Sequence, residues 1–291
     1  MTRATLPFRR VARILAALVL ALLPAAAASD GADARRILSV GGAVTEIVYA
    51  LGEQERLVAR DATSTFPPES EALPDVGYMR ALSPEGVLSV APDLIVAEEG
   101  AGPPETVDLL RAAEIPFVTV PDATDAAGVL ARIHAVGAAL GVPDKAATLA
   151  AQVGADLDAA RAAAAAASDA PKRVLFVLST QGGRIMASGT GTAADSIIAM
   201  AGGVNAVTGF EGYKQMTDEA VAAAAPDVIL MMDRDGDHAA ADAELFAMPA
   251  IATTPAAETG AVVRMDGLTL LGFGPRTAEA VSALSEALHG G

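Results

Sequence analysis

The chain has 291 residues, with 36 acidic residues against 20 basic ones, a formal net charge of −16 and no cysteine. This balance argues against binding to nucleic acid or to an anionic lipid surface, because both repel a negatively charged protein. The absence of cysteine excludes a disulfide framework and a cysteine nucleophile within this sequence.

The N-terminal residues 1–28 predict a signal peptide. Four arginines within residues 3–13 precede the apolar run 14–23, and the small residues that follow offer an Ala-x-Ala type cleavage site. A membrane anchor is the alternative, but this apolar run is too short to span a bilayer comfortably. Without these arginines, 16 basic residues remain against 36 acidic ones, a net charge of −20. We expect a mature chain that is free in the periplasm, with no lipid anchor and no inserted segment.

Short apolar runs alternate with helical patterns along the mature chain, which is typical of α/β folds with parallel sheets. The first half predicts strands at 36–41, 57–60, 94–97 and 117–120, and helices at 45–51, 104–113 and 124–140. The second half predicts strands at 173–178, 228–232 and 262–265, and helices at 195–201, 219–224 and 275–288. Between the halves, the alanine-rich residues 144–168 favour one long helix, with a disordered linker as the alternative.

One motif occurs in both halves of the chain. Residues 83–96 and 217–230 each combine an N-cap, a short helix, the tripeptide Ala-Pro-Asp and a buried strand. Two copies indicate two lobes of one architecture, which we assign to residues 35–141 and 171–291, joined by a long helix within 142–170. Clefts between lobes are where ligands usually bind.

The sequence offers little for catalysis. Its three histidines, His134, His238 and His289, do not have the spacing of metal ligands. The glycine-rich residues 189–192 lack the lysine of a phosphate-binding loop, and no serine lies in a Gly-x-Ser-x-Gly setting. We therefore expect a binding protein rather than an enzyme.

Two of the three tyrosines, Tyr78 and Tyr213, precede the two copies of the repeated helix. We expect both in loops that face the cleft, one from each lobe. The alternative is that each is a turn residue packed on its own lobe.

Three motifs carry a resemblance to a known family. Residues 77–83 (Gly-Tyr-Met-Arg-Ala-Leu-Ser), 209–214 (Gly-Phe-Glu-Gly-Tyr-Lys) and 271–276 (Leu-Gly-Phe-Gly-Pro-Arg) resemble those of the periplasmic haemin-binding proteins of bacterial ABC importers. The wider family includes cobalamin and ferric siderophore binding proteins. The resemblance implies two Rossmann-like lobes with parallel sheets, joined by one long α-helix, with a ligand cleft between the lobes. It also implies that Tyr78 ligates haem iron and that Arg276 lies near the tyrosine oxygen.

Haem chemistry is compatible with these residues. Tyrosinate is a known axial ligand of haem iron, and both Fe(III) and a nearby guanidinium favour the phenolate over the phenol. The two propionates of haem need cations, for which Arg80, Arg184 and Lys214 are candidates; solvated surface charges are the alternative. Met79 is expected either to line an apolar slot for the porphyrin or to belong to the core.

Glu85 and Glu219 hold equivalent places in the two copies of the repeat. A carboxylate in the first turn of a helix opposes the macrodipole, and this explanation is sufficient alone. The resemblance implies a second role, in which each glutamate meets an arginine of the permease. We therefore expect a monomer that captures haemin and delivers it to an ABC permease with its ATPase. The alternatives are a binding protein for a ferric siderophore or corrinoid, an enzyme that uses the same cleft, and an adaptor with an empty cleft.

Overall fold

A computed structural model describes residues 30–167, 170–233 and 242–290. The signal peptide predicted at 1–28 lies outside these ranges. The strands are β1 Ile37–Val40, β2 Leu57–Arg60, β3 Leu94–Glu98, β4 Phe117–Val120, β5 Arg173–Ser179, β6 Ile185–Ser188, β7 Val204–Asn205, β8 Tyr213–Met216, β9 Val228–Asp233 and β10 Val262–Asp266. The helices are α1 Asp30–Asp33, α2 Gly42–Ala50, α3 Pro84–Ser89, α4 Pro104–Ala112, α5 Ala126–Ala139, α6 Pro143–Ala167, α7 Ala193–Met200, α8 Asp218–Ala224, α9 Asp242–Ala247, α10 Pro249–Ala252, α11 Pro255–Thr259, α12 Gly267–Leu271 and α13 Thr277–His289. Among the helices of these ranges, none is long and apolar enough to cross a membrane.

The strands form two sheets, one in each half of the chain. The first has the order β2-β1-β3-β4 and is parallel throughout, as predicted. The second has the order β10-β9-β5-β6-β8, with β7 paired to β5. Its strands β10, β9 and β5 are parallel, but β6 and β8 are antiparallel to their neighbours. The prediction of a parallel second sheet is thus wrong at one side, because β6 follows β5 through a turn too short for a parallel crossover.

Both copies of the repeated motif fold as predicted at their start. Ser83 caps α3 by accepting a hydrogen bond from the N–H of Gly86 at 2.9 Å. Thr217 caps α8 in the same way, by accepting from the N–H of Ala220 at 3.2 Å.

The two copies also end alike. Each helix is followed by an alanine with positive φ, 43° at Ala91 and 42° at Ala225, and the proline that comes next cannot continue the helix. The aspartates Asp93 and Asp227 then accept backbone N–H groups at the start of β1 and β5, at 2.9 and 2.8 Å. The duplication visible in the sequence is therefore a duplication of hydrogen bonds as well.

Helix α6 joins the lobes and packs against α5 and α13. The prediction of one long helix is confirmed, and the disordered alternative is wrong. A single hydrophobic cluster extends from Ile37 and Val44 through Leu157 of α6 to Phe176 and Leu284. Because both halves share this core, motion of one lobe against the other is restricted.

The lobes also meet directly beside this core. A Cβ atom added to Gly42 would lie 2.5 Å from Leu268 Cδ1 and 2.6 Å from the carbonyl oxygen of Thr63. Glycine at position 42 is therefore what allows α12 to approach the start of α2 so closely.

Candidate functional site

Tyr78 lies in a loop between β2 and α3, as predicted, and it is 49% exposed. The preceding Gly77 has a φ of 96°, and its N–H donates to Asp75 Oδ1 at 2.7 Å. On the other side, the N–H of Gly102 donates to the carbonyl oxygen of Met79 at 2.9 Å. The backbone is thus held on both sides, while the phenol itself remains accessible.

Met79 points the other way from its two neighbours. It is 7% exposed and packs among Val76, Leu82 and Val87 in the core of the first lobe. Two positions were expected for Met79, a slot for a porphyrin or the core. The structure places it in the core. Arg80, the next residue, is exposed again.

Tyr213 was expected in a loop, but it lies on a strand. It is the first residue of the edge strand β8, opposite Ser188 of β6. Its ring meets Phe176 edge-on, with centroids 6.3 Å apart and an interplanar angle of 64°. Its hydroxyl interacts with the Thr192 side chain and with the N–H of Ala194, at the start of α7. The residue is nevertheless 38% exposed.

Electrostatics connect Tyr213 with the first lobe. Burial raises the pKa of Tyr213, against the opposing effects of its two hydrogen bonds and of the Arg80 charge, and the Asp122 charge raises it further. Arg80 follows Tyr78 in the same loop. The structure thus brings the Tyr78 loop and Tyr213 within electrostatic range of each other, one from each lobe.

Lys214 and Arg184 lie elsewhere on the second sheet. Lys214 follows Tyr213 in β8 and so projects from the opposite face of the strand; its Nζ lies 5.4 Å from the centroid of the Phe210 ring. Arg184 precedes β6, at the Met216 end of the β6–β8 ladder, whereas Tyr213 lies at the other end. Both cations are exposed. The structure does not gather Tyr213, Lys214 and Arg184 on one surface.

Arg276 is held by Glu46, a residue of α2 in the other lobe. Its Nε and Nη2 donate to the two carboxylate oxygens at 3.1 Å each, and its Nη1 donates to Thr269 Oγ1 at 2.7 Å. The guanidinium carbon also lies 3.5 Å from the centroid of the Phe66 ring. The expected contact with the Tyr78 oxygen is not formed in the part of the chain described, because Arg276 is committed to Glu46.

Arg132 of α5 is a buried arginine that sequence reasoning missed. Its side chain has no exposed surface, and its Nη2 contacts Glu98 Oε1 at 3.0 Å and Asp122 Oδ1 at 2.9 Å. Its Nη1 donates to the carbonyl oxygen of Gly272, in the second lobe, at 2.6 Å. A single arginine on the apolar stripe of a helix is the signal that could have revealed Arg132. A single glutamate within the apolar α2 is the corresponding signal for Glu46.

The two carboxylates that contact Arg276 and Arg132, those of Glu46 and Glu98, both have a raised pKa. Burial raises the pKa of Glu46, with Arg276 opposing the rise. Burial also raises the pKa of Glu98, with Arg132 opposing it and the charge of Asp122 adding to it. Both acids therefore bind their protons more tightly than an exposed glutamate does.

Glu85 and Glu219 are both exposed and lie in the first turns of α3 and α8, as predicted. The pKa of Glu219 is lowered by hydrogen bonds from its own backbone N–H and from the Thr217 side chain. The helix-terminus explanation thus has direct support at Glu219. Across residues 30–167, 170–233 and 242–290, no group of three or more His, Asp or Glu side chains is arranged to hold a metal ion.

Comparison with curated proteins places the chain among binding proteins. The family model of the periplasmic binding proteins matches residues 37–268. The chain is 30% identical over 203 residues to an uncharacterized ABC transporter substrate-binding lipoprotein of Bacillus subtilis, covering 69% of this chain and 64% of that protein. It is 35% identical over 111 residues to a vitamin B12-binding protein of Yersinia pestis, covering 38% and 37%. The chain thus spans less than two thirds of the length of these curated relatives.

Solved structures resemble the chain over more of its length. The periplasmic heme-binding protein BhuT, in complex with two hemes, is 43% identical, with a TM-score of 0.84 over 88% of this chain and 98% of that one. The periplasmic heme-binding protein RhuT from Roseiflexus sp. RS-1, in apo form, is 39% identical, with a TM-score of 0.85 over the same shares. A periplasmic heme-binding protein from Pseudomonas aeruginosa is 34% identical, with a TM-score of 0.81 over 88% and 93%. With its family model matched over most of its length and its two-lobed fold shared with these structures, the chain belongs to the periplasmic binding protein family.

Proposed function

We propose that this protein captures haemin between its two lobes and delivers it to an ABC permease. The observation that carries the proposal is Tyr78, a half-exposed phenol on a loop fixed by backbone hydrogen bonds, in which Arg80 is close enough for its charge to act on Tyr213 of the other lobe. The names of three similar solved structures, all heme-binding proteins at 34–43% identity, support the same ligand.

Tyr78 is the residue we assign as the iron ligand. Ferric iron favours an anionic oxygen, and a phenol that loses its proton on coordination supplies one. The backbone hydrogen bonds around Gly77 and Met79 hold the loop before the ligand arrives, which lowers the entropic cost of binding.

The propionates of haemin need cations, in a chain whose net charge is −16. Arg80 is our first candidate, because it shares the loop with Tyr78. Arg184 and Lys214 are weaker candidates. Arg184 lies at the end of the β6–β8 ladder away from Tyr213, and Lys214 projects from the face of β8 opposite to Tyr213. Arg276 serves Tyr78 only if it first leaves Glu46.

We further propose that the mature chain acts as a monomer in the periplasm after cleavage near residue 28. The Bacillus subtilis relative is named a lipoprotein, and a lipid of that kind requires a cysteine, which this sequence lacks. The binding-protein family and the exposed acids of α3 and α8 support a permease partner with its ATPase. On docking, Glu85 and Glu219 would each meet a basic side chain, one per lobe.

A corrinoid is the second candidate ligand, since a vitamin B12-binding protein is 35% identical over 111 residues. The shorter alignment is the reason we rank it below haemin. Neither candidate requires catalysis, and we propose no enzymatic activity.

The test is a titration of Tyr78→Phe with ferric haemin. The variant should lose the phenolate-to-iron charge-transfer band and bind haemin more than about tenfold more weakly, because the iron loses its protein ligand. Tyr49→Phe is the matched control, a partly buried tyrosine in α2 of the same lobe, and it should behave like the wild type. A Tyr78→Phe protein with the wild-type spectrum and affinity would refute the assignment.

A further inference from the structure

Tyr78 and Tyr213, one from each lobe, differ in the surroundings of their hydroxyl groups. The Tyr213 hydroxyl lies beside the Thr192 side chain and the N–H of Ala194, at the start of α7. Thr192 is itself fixed as the N-cap of α7, where it accepts the N–H of Asp195 at 3.0 Å. The Tyr213 oxygen thus already has polar neighbours in its own lobe, whereas the Tyr78 phenol is 49% exposed.

The ring of Tyr213 is fixed as well. One side is held by the edge-on contact with Phe176, which is completely buried, and the backbone is paired with β6 opposite Ser188. Tyr213 is nevertheless 38% exposed, so a residue fixed in this way still presents surface to a ligand.

We propose that Tyr213 is a stacking platform for one face of the bound macrocycle, and not a second iron ligand. The inference rests on the proposed haemin function, because it assigns the second wall of the same cleft. Tyr78 binds the metal from the first lobe, and Tyr213 contacts the flat ring from the second. A tyrosine whose ring is fixed and whose hydroxyl stays protonated can act in this way, because stacking uses the aromatic ring and not the oxygen.

This division of labour makes the two tyrosines respond differently to the metal. A porphyrin without iron retains its flat ring and its propionates but cannot be ligated by a phenolate. Metal-free protoporphyrin IX is therefore the probe that separates the two roles. Loss of the Tyr213 ring should weaken both ligands, whereas loss of the Tyr78 hydroxyl should weaken haemin alone.

The experiment measures haemin and protoporphyrin IX binding to the full mature chain by absorption and fluorescence titration. Tyr213→Phe should bind both within about twofold of the wild type and should keep the charge-transfer band. Tyr213→Leu and Tyr213→Ala should bind both about tenfold more weakly, because the aromatic surface is gone. Tyr78→Phe should lose haemin affinity and keep protoporphyrin affinity.

Two results would overturn the platform role. One is a Tyr213→Phe protein that loses the band or the haemin affinity, which would make the hydroxyl the working group. The other is a Tyr213→Leu protein with a wild-type unfolding midpoint and unchanged binding of both porphyrins. A wild-type protein that binds protoporphyrin IX but shows no phenolate band with haemin would refute the Tyr78 assignment. The affinity of the Tyr213 variants for protoporphyrin IX would then decide the platform role alone. If the wild type binds neither porphyrin, both proposals fail.

Discussion

Glu46 is a buried acid whose only ion-pair partner in the described structure comes from the other lobe. Because burial raises its pKa, the folded protein keeps the Glu46 proton to a higher pH than the unfolded chain does. As pH rises from the ordinary value of 4.5 towards the raised value, the unfolded state ionises first, and the free energy of unfolding falls. Above the raised pKa this contribution is constant.

The corresponding variant is Glu46→Gln, which cannot titrate. The free energy of unfolding of the wild type should therefore fall relative to that of Glu46→Gln as pH rises through this window, measured by urea denaturation. Glu71→Gln, at an exposed position, is the control: it retains Glu46, so its free energy of unfolding should change with pH through this window as that of the wild type does. A wild-type advantage that grows with pH would instead indicate a lowered pKa, contrary to our account.

The helices α3 and α8 are matched elements that each present one exposed acid, Glu85 or Glu219. Their docking role predicts that the double variant Glu85→Ala with Glu219→Ala keeps its haemin affinity but supports less uptake, because two permease arginines lose their partners. Binding and transporter-dependent uptake are measured side by side. The matched control replaces Glu105 and Glu258, which are also exposed first-turn acids, in α4 and α11.

Normal uptake by the Glu85 and Glu219 double variant would leave helix-terminus stabilisation as the sole role of both acids. Loss of haemin binding would place them in or against the cleft. Reduced uptake by the control variant as well would show that first-turn acids matter only for the stability of their helices.

The elements that sequence predicts best are those with strong local signals. The N-caps, the Ala-Pro-Asp turns and the alanine-rich α6 are all of this kind, and the structure agrees with each. The strand β8 was missed because it is short, exposed and polar, and its partner β6 lies more than 20 residues earlier. An exposed edge strand lacks the apolar alternation on which a prediction depends.

The candidate site shows the same limit. The loop position of Tyr78 follows from its motif, but the Glu46–Arg276 contact joins residues 230 positions apart, and the bond from Arg132 to Gly272 joins residues 140 positions apart. Pairings of this range come from the packing of two lobes, which no local pattern encodes. Sequence reasoning therefore found the exposed candidates and Arg276, but missed Glu46, Arg132 and the contacts that these residues make between the lobes.

At the scale of the molecule, Arg132 holds the lobes together from within. Replacing it with methionine fills the space but leaves Glu98, Asp122 and the Gly272 carbonyl without their donor. Loss of one partner of a buried pair typically costs about 3–5 kcal/mol, so Arg132→Met should lower the free energy of unfolding by this order. Arg161→Met, which removes a half-exposed i,i+3 contact, should cost less than about 1 kcal/mol in the same urea titration. Equal effects of the two variants would contradict the role of Arg132.

The shared core, the long helix α6 and the contacts that Arg132 and Arg276 make across the lobes restrict the motion of one lobe against the other, so we expect the cleft to select its ligand largely with a fixed shape. The central claim is that this shape and Tyr78 fit a ferric porphyrin. The most direct measurement is a titration of the purified wild-type protein with haemin and, in parallel, with cyanocobalamin, followed by absorption. We predict saturable haemin binding with a phenolate-to-iron charge-transfer band, and no saturable binding of cyanocobalamin at the same concentrations. Tight cobalamin binding without a haemin-dependent band would contradict the account.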